Sequence, residues 1–186
     1  MRAFALLAAL TLGAAPLAAQ RSPGLPIEIG VDAGISRDDR DDRPDVTVLR
    51  LPVDRLRVGF FLSPTISLEP TLAAERFSNE SGSSTRIDGA LGLLAHVGGV
   101  PTGRARTTSV FIRPFAGFSR FSADPDGGTG RSSTQANLGA GLGAKFPVSD
   151  RLAWRLEAVY TRFVENDDFP ARNVYGLNFG LSFHTR

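Results

Sequence analysis

Charged side chains recur in this sequence at spacings that chemistry could use. Arg37, Arg76, Arg120 and Arg162 lie 39, 44 and 42 residues apart, and the last three each precede a phenylalanine. A guanidinium presents a planar fork of donors that fits phosphate oxygens. Brought to one level, such a series suits contact with phosphorylated headgroups. Ordinary snorkelling at an apolar–aqueous boundary is the plainer use. A second set is mixed in sign: Glu28, Asp32, Glu69, Glu75, Asp88 and Glu157 against Lys145 and Arg155. Gathered in an interior, these groups must pair, because an unpaired buried charge is costly. They would form a structural plug of ion pairs or, given a continuous path, a gated pore or proton route.

Catalytic constellations are scarce. His96 and His184 are the only histidines, and a hydrolase needs a histidine within reach of a nucleophile. Gly139-x-Gly141-x-x-Ala144 imitates a dinucleotide fingerprint, but that motif needs a helix directly after it to hold pyrophosphate. The next residues, Lys145-Phe-Pro-Val-Ser-Asp150, read as a strand end and a turn instead. The acidic stretch Asp124-Pro-Asp-Gly-Gly128 lacks the further acids and closing Glu of a calcium loop. Cysteine is absent, which removes disulfides and thiolate metal sites. No cofactor, no metal and no catalysis are expected.

The elements that must position these residues show in a two-residue beat. Tyr175, Leu177, Phe179, Leu181 and Phe183 alternate with Gly176, Asn178, Gly180, Ser182 and His184. The same alternation runs through 27–36, 66–77, 135–146 and 152–163, and less cleanly through 86–97 and 107–121. Period two over ten or more residues signals a strand. In 46–61, Thr47, Leu49 and Leu51 fall out of phase with Leu56, Val58 and Phe60. One extra residue near Pro52, a β-bulge, or a break into two short strands would reconcile them. Eight strands result. Connections alternate between long polar stretches (37–45, 78–85, 122–134, 164–173) and shorter ones (62–65, 98–106, 147–151). An even strand number with short turns on one rim and long loops on the other is the pattern of a transmembrane barrel. The spacing predicts an all-β, closed antiparallel up-and-down barrel. Both histidines then lie toward the short-turn rim, away from outer-leaflet substrates.

Alternation alone leaves open which face is outward, and a soluble periplasmic lipocalin-like barrel binding an apolar ligand also alternates. The polar face here is mostly Gly, Ala, Ser, Thr and Asn with a few charges. Small residues suit the cramped lumen of an eight-stranded barrel, so the Leu, Ile and Phe face is expected to meet lipid. The strand directions place Phe60, Phe61, Phe146, Trp154 and Phe183 near one rim and Phe77, Phe121, Tyr160, Phe163 and Tyr175 near the other, as two aromatic belts require. In hydrocarbon every backbone polar group must pair within the protein, so the final strand is expected to close on the first.

The N-terminus reads as an export signal. Arg2 precedes an apolar run from Ala3 to Ala15 and then small residues. That run is too short to span about 30 Å of hydrocarbon as a helix. Residues 1–19 are therefore expected to be a cleaved signal peptide, leaving 20–186 as one barrel domain. The formal charge of +2 and the lack of a basic run interleaved with aromatics exclude a nucleic-acid-binding balance.

The leader, "GAGLGAKFPVSDRLAWRLEAVYTRF" and "YGLNFGLSFHTR" together resemble the small OmpX/OmpA-type outer-membrane β-barrel proteins. The resemblance covers roughly 26–184. It implies residence in a bacterial outer membrane, contact with its lipid and lipopolysaccharide, a structural or surface-interaction role and a monomer. It also implies insertion by the barrel-assembly machinery, which reads a terminal aromatic; here the last aromatic is Phe183. A lipid A-modifying enzyme on the same scaffold is the less favoured alternative, since neither histidine has the His-x-Ser neighbourhood of the lipid A deacylases.

Overall fold

The computed structural model describes residues 27–39, 46–79, 82–97, 108–125 and 130–185. The leader expected over 1–19 lies outside the described residues. Eight strands succeed one another: β1 (Ile27–Asp39), β2 (Val46–Phe61), β3 (Ile66–Asn79), β4 (Gly82–Val97), β5 (Ser109–Pro125), β6 (Arg131–Pro147), β7 (Leu152–Phe163) and β8 (Arg172–His184). Each pairs antiparallel with its sequence neighbours, and β1 pairs with β8 from Glu28↔His184 to Asp39↔Asn173, closing the barrel. Closure satisfies the main chain that hydrocarbon cannot.

Two tight turns show why short connections suffice on one rim. In the β2–β3 turn, Leu62 N donates to Ile66 O at 2.9 Å, and Ser63 Oγ accepts from Thr65 N and Ile66 N. In the β6–β7 turn, Val148 N donates to Leu152 O at 2.8 Å, and Ser149 Oγ accepts from Arg151 N and Leu152 N. A serine hydroxyl supplies the same turn-closing acceptor at both corners. The opposite ends run further than their sequence suggests. Residues 37–39, 78–79, 82–85, 122–125 and 131–134, expected in loops, extend the strands. Of the expected 78–85 loop, 78–79 and 82–85 belong to β3 and β4, and Asn79 pairs with Gly82, whose φ of 134° favours glycine. A spanning strand needs only about 9–11 residues. At 16 and 17 residues, β4, β5 and β6 therefore rise beyond the hydrocarbon.

β2 is one strand with a register shift. Asp32 pairs with Arg55, and Gly34 with Arg50, so two steps along β1 meet five along β2. The excess is three residues rather than the one expected. Any odd excess exchanges the two faces, which accounts for the phase slip between Leu49 and Leu56. The shift leaves a seam on the other side. Among the described residues the β2–β3 ladder runs from Phe61↔Ser67 to Leu56↔Leu72, although β3 continues to Asn79. Across the open part, the Arg50 side chain reaches Glu75 at 2.6 Å.

The apolar face is outside. Ile29, Leu138, Leu142 and Leu177 are 50–58% exposed, whereas Glu28, Arg57, Lys145 and Arg155 are 1% exposed. A soluble barrel would show the reverse. Each such side chain withdrawn from water into lipid contributes about 1.5–3 kcal/mol. Around the short-turn rim, Phe146, Trp154 and Phe183 face outward, with Trp154 stacked on Phe179 at 4.8 Å. Tyr160 and Tyr175, 5.4 Å apart, do so near the other rim. The belts are thinner than expected. Phe61 and Phe163 are buried inside the lumen, and Phe77 and Phe121 fall on the lumen-side beat at the outer mouth.

Candidate functional site

Eight charged side chains meet in the middle of the lumen, none more than 3% exposed. Arg57 of β2 donates to Glu28 at 2.5 Å, to Asp32 at 3.0 Å and to Ser182 Oγ at 2.8 Å. Lys145 of β6 pairs with the other oxygen of Glu28. Arg155 of β7 grips Glu69 with two bonds, of 2.6 and 3.1 Å, and reaches Glu157 at 3.2 Å. Arg113 of β5 donates to Glu157 at 2.7 Å. Arg57 also stands 3.7 Å from Glu69, so four carboxylates meet four cations in one connected network. Charge is unevenly spread along the chain. β1–β3 supply Glu28, Asp32 and Glu69 against Arg57 alone, and β5–β7 supply Arg113, Lys145 and Arg155 against Glu157 alone.

The inner glycines are the space this network occupies. A Cβ on Gly30 would strike the Arg57 guanidinium, one on Gly92 would meet Arg113, one on Gly141 the Glu157 carboxylate and one on Gly180 that of Asp32. Gly139 and Gly143 lie under the rings of Phe115 and Phe111, their ladder partners. Those rings in turn carry cations: Arg113 lies 4.6 Å from the Phe115 centroid and Arg155 4.3 Å from that of Phe111. The glycine pattern that imitates a nucleotide fingerprint is therefore a packing pattern on one strand. Toward the short turns the plug is floored by Phe61, His96 and Phe111, with Ser67 bonded to His96 at 3.0 Å. His184 stands 3.6 Å from Glu28.

Six of the expected interior residues, Glu28, Asp32, Glu69, Lys145, Arg155 and Glu157, are brought together here. Glu75 and Asp88 are not. They face inward but higher, where Arg50 bridges Glu75 and Asp54 and Arg86 holds Asp88 at 2.9 Å. Arg155 and Lys145, expected to bridge several of the acids, pair with Glu28, Glu69 and Glu157, and Arg57 and Arg113 join them in the plug. The signal for Arg57 is the beat of Leu56, Val58 and Phe60, which turns it inward. Arg113 is masked by phenylalanines on both faces of β5: Phe111 and Phe115 point in, while Phe118 covers Gly89 on the adjoining strand.

Arg37, Arg76, Arg120 and Arg162 all take the outward beat near the outer ends of β1, β3, β5 and β7. Arg37, Arg76 and Arg120 are exposed, and Arg162 donates to Asn173 at 2.9 Å. Consecutive strand residues point to opposite faces, so each Arg-Phe pair puts arginine outside and phenylalanine toward the mouth.

A family model described as outer membrane protein beta-barrel domain matches residues 4–183. Solved structures with the same fold include Neisserial surface protein A, at TM-score 0.64 and 11% identity over 84% of this chain and 96% of that one. The outer membrane protein OprG from Pseudomonas aeruginosa aligns at TM-score 0.57 and 11% identity over 90% and 99%. Ail, the attachment invasion locus protein of Yersinia pestis, aligns at 0.50 and 16% over 86% and 98%. No curated protein matches the sequence.

Proposed function

The chain belongs to the outer membrane protein beta-barrel domain family and is an integral protein of the bacterial outer membrane; on that premise we propose that it is a plugged, non-catalytic barrel whose outward arginines hold lipopolysaccharide phosphates. The observation that carries this reading is the placement of Arg37, Arg76, Arg120 and Arg162 on the lipid-side beat near the outer ends of all four outward-running strands. At the bilayer midplane an arginine costs about 2–4 kcal/mol, but near an interface only about 0–1. A charge-assisted bond to phosphate offsets that. The buried ion-pair network that fills the lumen supports a plugged barrel rather than a pore. The burial of His96 and Ser67 beneath it supports the absence of hydrolysis. Every strand has two neighbours, which supports a monomer. Export through a cleaved leader and insertion by the barrel-assembly machinery complete the reading.

Replacing all four arginines with Gln tests it. We expect the variant to migrate as a heat-modifiable barrel and to retain much less lipopolysaccharide on purification from outer membranes. Unchanged retention by the folded variant rejects the role.

A further inference from the structure

Above the plug the lumen opens into a cavity of about 220 Å³. Its wall includes residues from the outer ends of the strands, among them Ser36, Val46 and Arg172, so it is approached from the outer mouth. The volume falls below the roughly 300–1,000 Å³ of sites for drug-sized ligands, which sets a small solute or a single headgroup as the occupant.

Each carboxylate of the wall is paired with an arginine, while some of the wall's donors lack an acceptor. Asp54 is held by Arg50 at 3.3 Å and Arg55 at 3.7 Å, Asp88 by Arg86 at 2.9 Å and Asp38 by Arg172 at 2.6 Å. Below the cavity, in the plug, Glu157 is taken by Arg113 and Arg155. Among the described residues, two that line the cavity each carry a buried donor with no hydrogen-bond partner: Arg113 Nη2 and Asn178 Nδ2, on residues 1% and 7% exposed. They are neighbours. Asn178 stands opposite Glu157 in the β7–β8 ladder, and Glu157 accepts from Arg113. Arg55, also in the wall, approaches Asp54 only at 3.7 Å, beyond hydrogen-bond distance. Buried donors without acceptors are costly to leave unmade and are rare in native proteins.

We propose that this cavity binds a small oxyanion, a phosphate, sulfate or carboxylate group, with Arg113 and Asn178 at its floor and Arg55 at its side. A cation would have to compete with an arginine at every carboxylate of the wall. The site is separate from the outward arginine series: one faces the lumen, the other lipid. The same group could arrive as a free anion or as a phosphorylated lipid head.

The test is calorimetric titration of the refolded barrel, in phosphate-free maltoside micelles, with inorganic phosphate and then sulfate. NMR of the Asn178 side-chain amide serves as a local readout. Saturable binding that shifts this amide is expected, weakened at least tenfold by Arg55→Gln and by Asn178→Leu. The quadruple replacement of Arg37, Arg76, Arg120 and Arg162 should leave it unchanged, so this site and the lipopolysaccharide reading can fail separately. Arg55 lies outside the plug, so its variant stays informative if changes at Arg113 disturb folding. Competition by lipopolysaccharide assigns the site to a lipid head, and its absence assigns it to a free solute. No saturable binding at millimolar anion, or binding indifferent to both single variants, overturns the proposal.

Discussion

Arg155 shows what one side chain in the plug carries. It fixes both oxygens of Glu69 and reaches Glu157, and its guanidinium lies over Phe111. Removing one partner of a buried pair strands the other, at about 3–5 kcal/mol, whereas replacing both with apolar groups is often near neutral. Arg155→Met should therefore lower the urea stability of the barrel in lipid vesicles by about that amount, and adding Glu69→Met should restore part of it. A double variant no better than the single would mean that Arg155 acts through packing alone. Which residues join the plug was legible where the beat is clean: Glu28, Asp32, Glu69, Lys145, Arg155 and Glu157 all sit in well-phased strands. Parity reports the face of a strand but not depth along it, so it says nothing of Glu75 and Asp88 pairing above the plug with Arg50 and Arg86. Arg57 keeps the beat of its own half of β2 but shares that strand with the register shift, and Arg113 is flanked by aromatic residues on both faces of β5.

At the level of elements, the seam between β2 and β3 stands apart. Above Leu56↔Leu72 the wall is held among the described residues by the Arg50–Glu75 pair rather than by a backbone ladder. Among the described residues, main-chain groups of β3 above Leu72 that point away from β4 then lack strand partners, and unpaired amides open readily. Hydrogen exchange should be faster at those amides than at the corresponding rungs of β6 and β7. Arg50→Ala should accelerate it further without altering the β6–β7 rungs. Equal protection across both pairs would show that the seam is closed in the membrane. The irregularity itself was visible in the out-of-phase residues of 46–61. Its size, and which neighbour loses contact, depend on the pairing of β1 with β2, a tertiary matter that local periodicity does not encode. The overlong outer strand ends escaped for a similar reason: Ser78-Asn79, "GSST" (82–85) and "RSST" (131–134) are polar because both of their faces are wet, and so they read as loop.

For the whole molecule, orientation governs everything else. Spin labels at Leu138 and Leu177 should be accessible to oxygen dissolved in lipid, and labels at Asn137 and Asn178 should not; the opposite result would invert the barrel. The overall shape was readable because a single rule, apolar out and small polar in, repeats along nearly every strand and needs no knowledge of partners. The lopsided distribution of plug charges along the chain bears on how this shape is reached. An N-terminal half inserted alone would hold two unmatched carboxylates, and a C-terminal half alone two unmatched cations. Neither fragment is a comfortable guest in oil. Each becomes so only when the other curls round to meet it, so the penalty on a half-made pore discourages piecemeal entry and binds ring closure and membrane passage into a single concerted event.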